Sequence, residues 1–133
     1  MSLDVWEIYE QFAQSDRSLM DEKHRGLLAV CDLRQEVASG GVDSYFRYWG
    51  ADSAPAALAA LPEILGSEWA NLLEEAMDLF GAPFPINCDD RARFLDNNDL
   101  EETLEDLDRR LYDLEEAIDA DACLNGYIAS RFG

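Results

Sequence analysis

Residues 100–118 read LEETLEDLDRRLYDLEEAI, and this stretch decides the fold. Its apolar residues recur at intervals of four, three, four, three and four positions, which is the spacing of a helix with one apolar side. The pattern predicts a helix over 100–118 that buries this side. We call its apolar residues the leucine repeat: Leu100, Leu104, Leu107, Leu111, Leu114 and Ile118.

The leucine repeat covers fewer than three heptads, which is short for a coiled coil. We therefore interpret it as one helix of an intramolecular bundle. Pairing of two copies in a homodimer stays open as the alternative.

The rest of the chain repeats near the same helical period. Further helices are predicted over Leu3–Ala13, Arg25–Ala38 with a stop at Gly40-Gly41, Val42–Trp49, Ser53–Pro62, Ser67–Gly81, and from Asp119 or Asp121 through Phe132. We find no alternation typical of strands and no linker between domains. The expectation is an all-α protein, one compact domain over residues 1–133 with about six to eight helices.

Negative charge is the most unusual property of the sequence. Twenty-nine acidic residues against ten basic ones give a net charge of −19. Residues 89–121 alone hold fourteen acids and four arginines, a net charge of −10. Such a field repels nucleic acids and anionic membranes and attracts basic proteins. We expect a basic protein as partner, with no direct binding of nucleic acid or membrane.

Residues that build catalytic or metal centres are scarce. The one histidine, His24, precedes the apolar side of the predicted second helix, and the cysteines Cys31, Cys88 and Cys123 are widely spaced. Catalysis needs a positioned base, nucleophile or metal, and a zinc site needs clustered ligands. We therefore expect no enzyme activity, no cofactor and no metal. Scattered cysteines indicate reduced thiols in a cytoplasmic protein, with Cys31 buried.

Acids dominate the side of the 100–118 helix that faces away from the leucines. Carboxylates three or four residues apart have Cβ atoms about 5–6 Å apart, and phosphates of one DNA strand advance about 3.4 Å per nucleotide along the axis. Rows of such acids therefore offer spacings comparable to a phosphate backbone. The candidate partner-binding residues, which we call the acidic face, are Glu101, Glu102, Glu105, Asp106, Asp113 and Glu116, with Glu74 and Asp78 from the preceding helix.

The alternative interpretation of these acids is an ordinary solvated helix surface. On that interpretation Glu105 pairs with Arg109 and Asp106 pairs with Arg110, as acids and bases four residues apart often do. Against it stands the net charge of −10 over residues 89–121, because repulsion among like charges costs stability.

Three stretches of the chain resemble a known family. Residues 36–46 (EVASGGVDSYF), 57–61 (ALAAL) and 107–112 (LDRRLY) are similar to the DNA-mimic protein 19-like family, and the similarity extends over about residues 25–130. The resemblance implies an acidic helical fold. It also implies, on the example of the family's named member, imitation of duplex DNA towards a DNA-binding protein.

The leading hypothesis is therefore an acidic module that occupies the nucleic-acid-binding surface of a basic partner. An immunity or antitoxin-type inhibitor of a basic nuclease is a second hypothesis. A third is a scaffold domain that binds through an aromatic groove in segment 45–49, with the acids serving solubility. The candidate groove residues are Tyr45, Tyr48 and Trp49. Adaptation to high salt is a further alternative.

Overall fold

The computed structural model describes residues 6–7 and 22–131, and within these ranges it contains helices and no β-strand. The all-α prediction is confirmed. The predicted helix over Leu3–Ala13 lies outside the described residues apart from Trp6 and Glu7, which are helical. Within residues 22–131 the α-helices are α1 (Glu22–Arg47), α2 (Ala54–Ile64), α3 (Ser67–Asp78), α4 (Cys88–Asn97), α5 (Glu101–Ala117) and α6 (Ala120–Arg131), with a 3₁₀ helix at Trp49–Ser53.

A kink at the double glycine divides helix α1 into two helical segments. The backbone leaves the helical region at Gly41, with φ 79° and ψ −174°, a conformation that residues with a Cβ avoid. The sequence predicts a stop at Gly40-Gly41 and a further helix from Val42, and the kink confirms both.

Helix boundaries around α2 and α3 differ from the predicted ones by a few residues. Ser53 is the N-cap residue of α2, and its hydroxyl donates to the Gly50 carbonyl and caps no helix N–H. Pro62 lies inside α2, which runs on to Ile64. Helix α3 begins at Ser67, as predicted, with Gly66 as its N-cap residue. Proline near a helix end removes only one hydrogen bond, which the packed helix tolerates.

Side-chain caps mark the starts of two of the three helices that follow the proline-containing loop, which ends near Ile86. Helix α4 begins where the Asn87 side chain accepts from the Asp89 N–H at 2.8 Å, and the sequence patterns do not predict it. Helix α6 begins after Asp119, whose carboxylate accepts from the Ala122 N–H at 3.0 Å. This confirms the Asp119 alternative for its start.

The leucine repeat packs inside the molecule. Leu104, Leu107 and Leu111 are buried, whereas the terminal Leu100 and Ile118 are partly or largely exposed. Helix α5 contacts α1 and α3 through this side, which confirms the intramolecular interpretation. The apolar side chains of α3 are buried in the same hydrophobic core as these leucines, and Cys31 is buried there too. None of the described helices combines the length and hydropathy that a membrane-spanning segment requires.

Candidate partner-binding site

The kink at Gly41 is held by two side chains of α5. Asp108 Oδ1 accepts from the Val42 N–H at 2.6 Å, and the Tyr112 hydroxyl donates to the Val37 carbonyl at 3.3 Å. A helix break leaves N–H groups on one side and carbonyls on the other without their usual partners. Asp108 and Tyr112, one turn apart, therefore supply an acceptor and a donor on opposite sides of the same break.

Contact at the kink explains why glycine occupies position 41. A Cβ there would lie 2.6 Å from Asp108 Oδ2, closer than nonbonded atoms approach. The sequence stretches SGGV and LDRRLY thus meet in space, although 66 positions separate Val42 from Asp108. The geometry gives Asp108 the role of a helix cap at this break.

The electrostatic setting of Asp108 is unfavourable for its charge. Partial burial raises the pKa of the Asp108 carboxyl above its ordinary value, the Val42 N–H opposes this rise, and Asp43 adds to it. The carboxylate is consequently held by hydrogen bonding in a place where burial and a neighbouring acid disfavour ionisation.

Arg91 of α4 is a wholly buried cation. Its guanidinium donates to the backbone carbonyls of Phe46 (2.8 Å), Tyr48 (2.9 Å), Pro85 (3.0 Å) and Ile86 (2.6 Å). It also donates to the Asp52 carboxylate at 2.7 Å. Five acceptors compensate a charge that would otherwise be costly to bury. The arginine thereby joins the end of α1, the 3₁₀ helix and the proline-containing loop.

Sequence patterns do not reveal the role of Arg91. The only signal is its position four residues before Leu95, which places both on the one buried side of α4. A charged residue on that side hides the apolar period by which helices are recognised. The same feature explains why α4 itself escapes prediction.

The acidic face is exposed to solvent. Seven of its eight residues are exposed and Asp106 is partly exposed. Among the residues that the structure describes, only Asp106 of this set forms an ion pair. Seven carboxylates of the acidic face form no ion pair with any residue that the structure describes: Glu101, Glu102, Glu105, Asp113, Glu116, Glu74 and Asp78.

Helices α3 and α5, which carry the acidic face, are linked at their surface. Arg110 of α5 pairs with Glu75 of α3 at 2.7 Å and with Asp106 at 3.5 Å. Hydrogen bonds from the arginines lower the pKa values of Glu75 and Asp106. The link joins α3, which carries Glu74 and Asp78, to α5, which carries the other acids of the face.

The predicted pairs along α5 are only partly formed. Asp106 pairs with Arg110, as predicted, but Arg109 pairs with Asp106 at 2.6 Å. The predicted pair of Glu105 with Arg109 is wrong, because the shorter three-residue separation brings Asp106 to that guanidinium. Glu105 keeps an uncompensated charge as a result.

Four further arginines of the described ranges pair with other acids. Arg34 bridges α1 to Glu115 at 2.7 Å and to Asp121 at 2.8 Å. Its hydrogen bond lowers the pKa of Asp121. Further pairs link Arg47 to Asp43 and Asp96, Arg91 to Asp52, and Arg93 to Asp90. None of these pairs involves a residue of the acidic face.

A polar cleft of about 420 Å³ extends the acidic face towards α1. Glu101, Glu105 and Asp108 line it from α5, Asp43 lines it from α1, and Asp99 lines it from the turn before α5. Arg47 stands at the same cleft but is paired. In the described part of the chain no group of histidine, cysteine or acidic side chains is arranged to hold a metal ion.

The three candidate groove residues do not form one exposed surface. Tyr45 is completely buried, and burial raises the pKa of its hydroxyl. Its assignment to a surface groove is therefore wrong in this fold. Tyr48 and Trp49 are exposed, because the chain leaves α1 at Arg47 and turns into the 3₁₀ helix.

The sequence matches one family model over nearly its whole length. The family is described as DMP19-like protein, and the match covers residues 18–131. The chain belongs to this family, in agreement with the resemblance carried by the double glycine and LDRRLY. Comparisons with curated proteins and with solved structures give no match.

Proposed function

From membership of the chain in the DMP19-like protein family, we propose that it is an acidic module that occupies the nucleic-acid-binding surface of a DNA-binding protein. The acidic face is the proposed contact surface. The observation that carries the proposal is that seven exposed carboxylates of the acidic face form no ion pair with any residue that the structure describes. The six arginines that do form ion pairs bind other acids or Asp106.

Charge arrangement supports contact with a basic surface. Like charges that remain uncompensated repel one another and lower stability, so a solvated helix gains nothing from keeping them unpaired. A basic partner would neutralise them. Long-range attraction of this kind accelerates association and gives strong dependence on salt.

Backbone rigidity supports the proposal in a second way. Helix α5 is fixed at its centre by the buried leucines and by the bonds of Asp108 and Tyr112 to α1. Acids on a fixed helix keep constant spacings, whereas acids on a mobile segment would lose entropy on binding. The face therefore offers its charges in an ordered arrangement before the partner arrives.

Competition with DNA is the experiment that tests the proposal. DNA-cellulose is loaded at low salt with DNA-binding proteins from the native host, and the purified protein is added to the buffer. We expect the wild type to release a small set of proteins, identified by mass spectrometry. We expect the triple variant Glu102→Lys, Glu105→Lys and Asp113→Lys to release none of them.

A charge-matched variant is the control. Glu7, Glu22 and Glu63 are exposed and lie outside the acidic face, so Glu7→Lys, Glu22→Lys and Glu63→Lys together change the net charge equally. We expect this control to release the same proteins as the wild type. Failure of the wild type to release any protein, or retention of the wild type itself on DNA-cellulose, would contradict the proposal.

A further inference from the structure

Three of the most exposed large hydrophobic residues lie on the two chain segments that one buried guanidinium joins. Tyr48, Trp49 and Ile86 have exposed fractions of 58%, 61% and 53%. We call these three residues the apolar patch. Large apolar side chains exposed on neighbouring segments commonly mark a contact site.

Arg91 brings the two segments of the patch together. One terminal nitrogen donates to the Tyr48 carbonyl and the other to the Ile86 carbonyl, at 2.9 and 2.6 Å. The two backbones therefore lie on either side of a single guanidinium, and both are fixed by it. A preorganised backbone reduces the entropy lost when exposed side chains are covered by a partner.

Acids border the apolar patch. The Asp52 carboxylate shares its donor nitrogen on Arg91 with the Tyr48 carbonyl, and it stays partly exposed. Asp89 and Asp90 lie in the first turn of α4 and are exposed, and Asp90 is paired with Arg93. An apolar centre with an acidic border is complementary to an apolar side chain that projects from a basic surface.

We propose that the apolar patch is an anchoring site for an apolar side chain cluster on the same basic partner protein. This inference rests on the proposed function for the basic character of the partner. The acidic face attracts any basic surface, because Coulomb forces act at a distance and discriminate weakly. The patch selects among basic surfaces, because exposed Trp and Tyr residues are enriched among those that dominate binding.

The test uses two synthetic helical peptides of equal length and equal positive charge. One carries arginines on one side and leucines on the other, and the second has serines in place of the leucines. Binding is measured by fluorescence anisotropy of the labelled peptides. We expect the wild type to bind the leucine peptide about tenfold more tightly, as expected for burial of a small apolar anchor.

Matched variants assign that preference to the patch. Ile86→Ser combined with Trp49→Ser is expected to bring the ratio of the two affinities close to one. Ile118→Ser changes another exposed isoleucine, outside the patch, and is expected to keep the ratio. Reversal of Glu102 and Glu105 to Lys is expected to weaken both peptides while keeping the ratio. Circular dichroism checks that each variant folds.

Each remaining outcome overturns the inference. Equal binding of the two peptides by the wild type overturns the anchoring site and leaves the proposed function intact, whereas binding of neither peptide contradicts both. A dimer that becomes a monomer in Ile86→Ser, measured by light scattering, assigns the patch to a second copy. If acrylamide does not quench the fluorescence of Trp49 in the monomer, another part of the same chain covers the patch.

Discussion

The surroundings of Arg91 and the acidic face place charge in opposite settings. Arg91 is wholly buried and donates to five acceptors, one of them a carboxylate. On the acidic face seven of eight carboxylates are exposed and meet no cation among the described residues. A buried charge must be fully compensated because its desolvation is costly. An exposed charge has no such requirement, since water solvates it.

The contrast separates charges that build the fold from charges that the fold leaves exposed and unpaired. Removing a group from the first setting leaves several buried acceptors without a donor. Neutralising an acid of the acidic face removes only a charge that water already solvates. Substitutions in the two regions should therefore differ strongly in their effect on the free energy of unfolding.

The largest loss of stability is expected for Arg91→Met. The substitution leaves four carbonyls and Asp52 without their donor, and each buried acceptor left without a donor typically costs about 1–3 kcal/mol. Urea unfolding followed by circular dichroism measures the change. Arg93→Met is the control on the same helix, because Arg93 is exposed and paired only with Asp90. A change within about 0.5 kcal/mol is expected there; equal effects of the two substitutions would contradict the contrast.

An intermediate loss is expected for Gly41→Ala. The alanine has to adopt a φ of 79°, which costs roughly 1–3 kcal/mol, and its Cβ displaces the Asp108 carboxylate from Val42. Gly81→Ala is the matched control, because Gly81 has a φ of 80° but open space at its Cβ. We expect Gly41→Ala to cost about 1 kcal/mol more than the control, the value of a lost hydrogen bond. Equal costs would mean that the Asp108 contact contributes nothing.

The smallest of these effects concerns the charge of Asp108. Its pKa is raised in the fold, chiefly by burial, so the folded state holds this proton to higher pH than the unfolded state does. Stability contributed by protonation is thus lost as pH rises from the ordinary aspartate range, about 3.9, through the raised folded pKa. Asp108→Asn keeps an oxygen acceptor for Val42 and removes the titration.

We therefore expect the free energy of unfolding of the wild type, relative to Asp108→Asn, to fall as pH rises through that window. Urea unfolding at a series of acidic pH values measures the difference. If the difference stays constant or rises with pH, the hydrogen bond from Val42 lowers the pKa of Asp108 at least as much as burial and Asp43 raise it.

Sequence periodicity predicts the elements whose buried side is apolar. The leucine repeat of α5 and the stripe of α3 are recovered because every buried position on them is hydrophobic. The start of α6 follows from the local chemistry of Asp119. Cys31 is likewise predicted to be buried from its place on an apolar stripe.

The remaining features depend on contacts between distant residues. The break at Gly41 is predicted from sequence, but the contacts that hold it come from Asp108 and Tyr112 of another helix. The burial of Arg91 requires carbonyls from segments more than forty positions away in the sequence. Tyr45 and Tyr48 are neighbours in an aromatic segment, yet only the end of α1 decides that one is buried and the other exposed.

The central claim is that the acidic face contributes to recognition and not to stability. Its most direct test combines Glu102→Gln, Glu105→Gln and Asp113→Asn in one protein, which removes charge but keeps size. Urea unfolding and release of proteins from DNA-cellulose are measured on the same preparation. We predict a free energy of unfolding within about 0.5 kcal/mol of the wild type and loss of the release. Unchanged release by this neutralised protein would contradict the account.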